Sequence, residues 1–190
     1  MKVVVAIDSL KNSLTSVEAG RAIEAGVRKA YGGHPVQVIV KPLADGGEGT
    51  VEALVDGLNG QLRYVGVQGP LGEAVSCPYG YLPGMETAVI EMAGAAGGMG
   101  FAFLAYLNGR LRSGIQIVLD SIRLADAVKD ADYVITGEGR TDRQTAFGKA
   151  PTGVAKIAKR HGVPVVCLSG GLGEGYEAIY EQGIDAAAVC

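Results

Sequence analysis

Residues 3–40 read VVVAIDSLKNSLTSVEAGRAIEAGVRKAYGGHPVQVIV, two apolar runs on either side of a helix-periodic segment. Val3 to Ile7 is an unbroken apolar run, as in a strand buried on both faces of a parallel sheet. Ser16 stands where a helix N-cap belongs. Beyond it Ala19, Ala22, Ile23, Gly26, Val27 and Ala30 recur at helical spacing, while Glu18, Arg21, Glu24 and Arg28 fall off that stripe. The spacing predicts an amphipathic helix with one buried face. Val36 to Val40 is a second strand. Strand, helix and strand in succession form the crossover unit of an α/β protein.

The same rhythm extends outward, with one interruption. Residues 50–58 are expected as a second helix, stopped by Asn59-Gly60. Residues 62–67, 75–81 and 87–92 are strand-like, with turn signals at 69–72 and 83–84, and predict an antiparallel meander. A helical stretch ending at 126–131 follows, then a short strand at 133–136. Residues 151–161 form a helix with proline in its first turn and Val154, Ile157 and Ala158 on its apolar stripe. A strand at 163–169, a short helix at 175–182 and a last strand at 185–189 complete the chain. The expected fold class is α/β: a doubly wound, largely parallel sheet with helices on both faces and a small antiparallel β meander. Residues 93–100 (AGAAGGMG) fit neither period and mark a junction or connection.

Bulk properties narrow the partners. A chain of 190 residues with 48% hydrophobic and 19% charged residues can bury a core without staples. Its net charge of −3 argues against nucleic-acid and anionic-membrane partners. Cys77, Cys167 and Cys190 are far apart, odd in number and without CxxC spacing, so reduced, buried thiols in a cytoplasmic protein are expected. The N-terminus runs into a strand without a signal-peptide pattern. No apolar run approaches the ~20 residues of a membrane span.

Chemistry is concentrated where the strands end. Residues 44–50 (ADGGEGT) and 136–142 (TGEGRTD) are charged loops bracketed by glycine, each after an apolar run. In an open α/β sheet, ligands bind outside the carboxyl ends of the strands. Glycine lets backbone N–H groups approach a phosphate, and a following helix adds its dipole. Asp45 and Glu48 can share a metal ion or divide base and ligand roles. They can equally cap and complement the helix that begins at Thr50. Glu138, Arg140 and Asp142 alternate on the second loop, where Arg140 offers a fork for phosphate or carboxylate. The plainer alternative there is a surface ion-pair cluster. Asp8, Ser9 and Lys11 follow the first strand; Lys11 can hold an anion as a point charge, or simply be solvated beside a turn-capping Asp8.

Gly148-Lys149 lacks the rest of a Walker A loop, because Arg143 and Ala150 stand where Gly and Ser or Thr are required. Lys149 still precedes a helix and can meet a phosphate. Residues 170–175 (GGLGEG) are a further glycine run after a strand. No Gly-x-Gly-x-x-Gly opens the first helix and no Gly-x-Ser-x-Gly elbow is present, which argues against a dehydrogenase and an α/β-hydrolase.

Longer stretches carry a resemblance. VAIDSLKNSLTSVEAGRAIEAGV at 5–27, KPLADGGEGTVEALV at 41–55, QGPLGEAV at 68–75 and AVIEMA at 88–93 are similar to the glycerate kinase family. So are LRSGIQIVLD at 111–120, ADYVITGEGRTDRQTAFGKAPTGVAKIAKRHGVPVV at 131–166 and GIDAAAV at 183–189, in the family's order. The resemblance implies Mg²⁺-dependent phosphoryl transfer from ATP to a hydroxyl of glycerate. It implies Asp45 to orient or deprotonate that hydroxyl, with Lys11 and Arg140 on the glycerate carboxylate or the transferring phosphoryl group. Glu48 and Asp142 would hold Mg²⁺, directly or through water. Gly46, Gly47, Gly137 and Gly139 would let backbone close on the ligands, with Asp8, Ser9, Glu138 and Lys149 as further binding residues.

Family members are longer. They carry an inserted second domain where Ala93 meets Gly94 here, and a C-terminal helix beyond the last strand. The expected organisation is one Rossmann-like lobe over 1–190, formed from 1–93 and 94–190. Such a lobe could work as a kinase, bind ligand without turnover, or pair as a homodimer through surface the insertion covers in relatives.

Overall fold

A computed structural model describes residues 1–11, 13–44, 51, 54, 55, 58–68, 72–90 and 113–190. The loop expected at Asp45 to Thr50 and the segment at 93–100 lie outside the described residues.

β1 (Lys2–Ile7) is the second strand of a sheet of five, with β2 (Gln37–Val40) on its edge side. On the other side follow β6 (Tyr133–Glu138), β7 (Val165–Ser169) and β8 (Ala186–Val189). Every pairing in this sheet is parallel. Alternation along β1 divides the core. Val3, Val5 and Ile7 pack with Ala19, Ile23 and Val27 of α1 (Ser16–Ala30). Val4 and Ala6 face the opposite layer, with Val134, Val165 and Cys167. That layer holds α2 (Gly114–Ser121), α3 (Leu124–Val128) and α4 (Ala150–Arg160). Val154, Ile157 and Ala158 of α4 are buried, as their stripe predicts. Full burial of one such Val or Ile contributes roughly 1.5–3 kcal/mol. The doubly wound α/β expectation therefore holds.

The meander also forms. β3 (Gln61–Gln68), β4 (Ala74–Leu82) and β5 (Thr87–Val89) make a separate antiparallel sheet in that order. Val51, Leu54 and Val55 are helical and buried, and the Leu58 N–H donates to Leu54 O at 3.0 Å. Asn59 turns out at φ 51°, and the Gly60 N–H closes on Val55 O at 2.7 Å. That stop matches the Asn-Gly expectation.

Three local expectations are corrected. The N-cap of α1 is Thr15, not Ser16. Thr15 Oγ1 accepts the Glu18 N–H at 3.2 Å while the Glu18 carboxylate accepts the Thr15 N–H at 2.9 Å, a reciprocal box that Ser16 cannot make. The buried stripe of α1 is also rotated: Ala22, Gly26 and Ala30 are exposed, and Gly20 is buried. Val40 of β2 is the cause, since a Cβ on Gly20 would lie 2.5 Å from Val40 Cγ1. Finally, β6 runs two residues beyond the expected end, so Gly137 and Glu138 are strand rather than loop.

All three cysteines are free, but only Cys167 is buried; Cys77 is half-buried and Cys190 is exposed. Among the described residues, no helix is long and apolar enough to cross a membrane.

Candidate active site

β1 and β6 are neighbours, and their carboxyl ends bring two distant loops together. The Asp8 N–H continues the ladder to Gly137 O at 3.0 Å. Asp8 is buried, and its Oδ1 accepts the Ser9 N–H at 2.7 Å. Gly139 then lets the second loop touch the first: a Cβ there would stand 2.9 Å from the Lys11 nitrogen of the main chain.

A cavity of about 130 Å³ lies between them, lined by Asp8, Ser9, Lys11, Glu138, Gly139, Arg140, Asp142 and Lys149. These are all the described candidates except Gly137. Gly137 faces β7, where a Cβ would overlap Leu168 O at 1.8 Å, so close packing alone requires glycine. Asp45, Gly46, Gly47 and Glu48 lie outside the described residues. A larger, open hollow of about 730 Å³ sits by Met1, Lys2 and Gln37, where Lys2 pairs with Asp130. That is the amino end of the strands, the wrong end for a ligand in this architecture.

Three carboxylates and three cations share the small cavity. Glu138 Oε2 faces Lys149 Nζ at 3.8 Å. Burial pushes the Glu138 carboxyl above its usual range, against the opposing pull of Thr145, Lys149 and Thr141. Asp142 caps the 3₁₀ turn Arg143–Phe147: its Oδ1 accepts the Gln144 N–H at 2.9 Å. Lys149 is the N-cap of α4 and offers no side-chain cap.

The glycine run at 170–175 does not line the cavity. It braces the loop that does. The Thr141 N–H donates to Gly171 O at 3.0 Å, and the Gly173 N–H returns to Thr141 O at 2.7 Å. A Cβ on Gly173 would stand 2.9 Å from Arg140 Nε, and one on Gly170 would stand 2.7 Å from Gly139 O. Glycine here lets the brace approach.

Beneath the cavity is a layer of buried hydroxyls the sequence reading missed. Thr141 Oγ1 and Ser169 Oγ are 2.6 Å apart, and Thr145 Oγ1 donates to Glu138 Oε1 at 2.5 Å. Asp142 followed by Thr145 is a capping-box spacing and was a usable signal. Thr141 with Ser169 had none, because the strand pairing that joins them is not local.

Among the described residues no three His, Cys, Asp or Glu side chains gather as a metal cage. Mg²⁺ does not need one: it is typically held by one or two carboxylates plus substrate phosphates. Asp142 is the loop carboxylate of this cavity that could serve so, with its Oδ1 already taken by the Gln144 N–H.

Comparison with known proteins covers the same loops. The family model described as "Glycerate kinase family" matches residues 3–94 and 93–190. A glycerate kinase of Halalkalibacterium halodurans is 28% identical over 341 aligned positions, covering 97% of this chain and 89% of its own. One from Bacillus cereus is 52% identical over 101 residues, 53% of this chain and 26% of its own. A crystal structure described as that of a candidate glycerate kinase 2 from Salmonella typhimurium LT2 superposes with a TM-score of 0.74 at 24% identity. It covers 100% of this chain and 90% of that one, which supports the fold. With the family pattern running through both halves and across every described loop of the cavity, the chain belongs to the glycerate kinase family.

Proposed function

We propose that this cavity transfers the γ-phosphoryl group of MgATP to a hydroxyl of glycerate. One observation supports the reading: Asp8, Lys11, Arg140, Asp142 and Lys149 converge at the carboxyl ends of β1 and β6, on loops within the family match. Lys11 and Arg140 supply positive charge for the glycerate carboxylate or the transferring group. Asp8, Ser9 and Lys149 bind, and Gly139 lets the main chain approach. Asp142, with Glu48, would hold Mg²⁺, which neutralises phosphate charge when bound. Asp45 takes the hydroxyl proton as the hydroxyl oxygen bonds to phosphorus. The bond from phosphorus to the β,γ-bridging oxygen breaks, and ADP leaves. Gly46 and Gly47 would let the backbone close on the ligands, whereas Gly137 serves the packing of β6 against β7.

A second reading has its own support. The Halalkalibacterium halodurans alignment spans 341 positions against 190 residues here, so that relative carries sequence this chain lacks. The cavity, about 130 Å³, is also small beside the roughly 300–1,000 Å³ of a pocket that engulfs a drug-sized ligand. On that reading 1–93 and 94–190 form one lobe that binds glycerate or phosphate but does not turn over. Glycerate-dependent ADP release from MgATP separates the two: turnover supports the kinase, and saturable binding without ADP supports the lobe.

A further inference from the structure

Glu138 ends β6 with a carboxylate whose two oxygens are both engaged. Oε1 accepts from Thr145 Oγ1 at 2.5 Å and from Thr141 Oγ1 at 3.4 Å. Oε2 faces Lys149 Nζ at 3.8 Å. Glu138 is only 7% exposed, and Thr145 is fully buried. The Thr145 hydroxyl has one proton and gives it to Glu138. Its lone pair is thereby left to accept the Asp142 N–H, at 3.1 Å. Thr145 O in turn accepts from Thr152 Oγ1 at 3.1 Å, which ties the turn to α4. One carboxylate therefore holds both ends of the Arg143–Phe147 turn. It holds Asp142 at the start through Thr145, and Lys149 just past the Gly148 cap by charge. Both ends line the cavity.

We propose that Glu138 is a positioning residue: acting through Thr145 and Lys149, it sets where the Asp142 carboxylate and the Lys149 ammonium stand across the cavity, and binds no ligand itself. The binding role expected for Glu138 is replaced by this one. The inference rests on the kinase reading for its consequence in turnover, but not for its geometry. Its physical content is preorganisation. A misplacement of about 1 Å in a charged site costs on the order of a hundredfold in rate.

The test uses Glu138→Gln, Thr145→Val and Thr145→Ser with three readouts: kcat and KM for MgATP and glycerate, the thermal midpoint, and exchange of the Asp142 amide by NMR. Glu138→Gln keeps an oxygen for Thr145 but removes the charge that faces Lys149. It is expected to lower kcat roughly 10–100-fold without lowering the midpoint. Thr145→Val is expected to do the same to kcat and to speed Asp142 amide exchange, while Thr145→Ser restores both. A merely structural Glu138 would lower the midpoint and leave kcat per folded molecule unchanged, and that result would overturn the proposal. An Asp142 amide indifferent to Thr145→Val would overturn it too. If the native chain makes no phosphoglycerate yet the amide responds and serine restores it, the clamp stands and the kinase reading fails.

Discussion

Glu138 carries the clearest conflict between stability and site geometry. Burial raises its carboxyl against the pull of Thr145, Lys149 and Thr141. A raised carboxyl binds its proton more tightly in the folded than in the unfolded chain. Its contribution to stability is complete below the ordinary Glu value of about 4.3 and is lost as pH rises through the folded value. Glutamine is uncharged throughout. The thermal midpoint of Glu138→Gln is therefore predicted to rise relative to the native chain as pH rises above the ordinary Glu range, and a falling difference would contradict the burial of this carboxyl. At this scale the sequence was informative about identity and poor about role. The alternation Glu138, Arg140, Asp142 marked the loop, and the cavity gathers all three. The sequence did not reveal that Asp142 spends one oxygen on the Gln144 N–H, or that Glu138 spends both of its own under the cavity. Those partners are a main-chain N–H, a threonine hydroxyl and the Lys149 ammonium, none of which stands out in a loop sequence.

Elements were legible wherever their signal was periodic. β1, with apolar side chains on both faces, and α4, with Pro151 at its start, were readable from pattern alone. The exact cap and face of α1 were not. Two adjacent hydroxyl residues, Thr15 and Ser16, compete for the N-cap, and the Glu18 side chain decides for Thr15. Thr15→Ala is predicted to cost about 0.5–2 kcal/mol in urea unfolding. Ser16→Ala is predicted to stay within about 0.5 kcal/mol. Equal losses would remove the capping box as the explanation. The rotated stripe has a tertiary cause. A helix reader counts Ala22 and Ala30 as apolar, but Gly20 is what the close approach of Val40 requires. β6 lengthened for a similar reason: Gly137 and Glu138 gain partners in β1 and β7 that no local pattern announces.

At the scale of the whole molecule, the strand order β2-β1-β6-β7-β8 makes the site. It sets residues 8–11 beside 138–142, although the meander and α2 intervene in the chain. Alternating strands and helices predicted a parallel sheet but not which strand would lie next to β1. The meander is a separate sheet, and β3 presents Tyr64 at 65%, Val65 at 47% and Val67 at 41% exposure. Long apolar edge strands promote pairing between chains. The chain is predicted to self-associate with rising concentration in sedimentation velocity, and Val65→Lys to shift it toward monomer; concentration-independent sedimentation would contradict this. On the proposed function, phosphoryl transfer to glycerate occurs in the cavity between β1 and β6. ³¹P NMR of the purified chain with MgATP and D-glycerate tests it most directly, beside an Arg140→Ala control. A new phosphoglycerate resonance, slowed on the order of a hundredfold by Arg140→Ala, is the predicted result. A folded chain that yields no phosphoglycerate, or whose product forms at the same rate in Arg140→Ala, would contradict it.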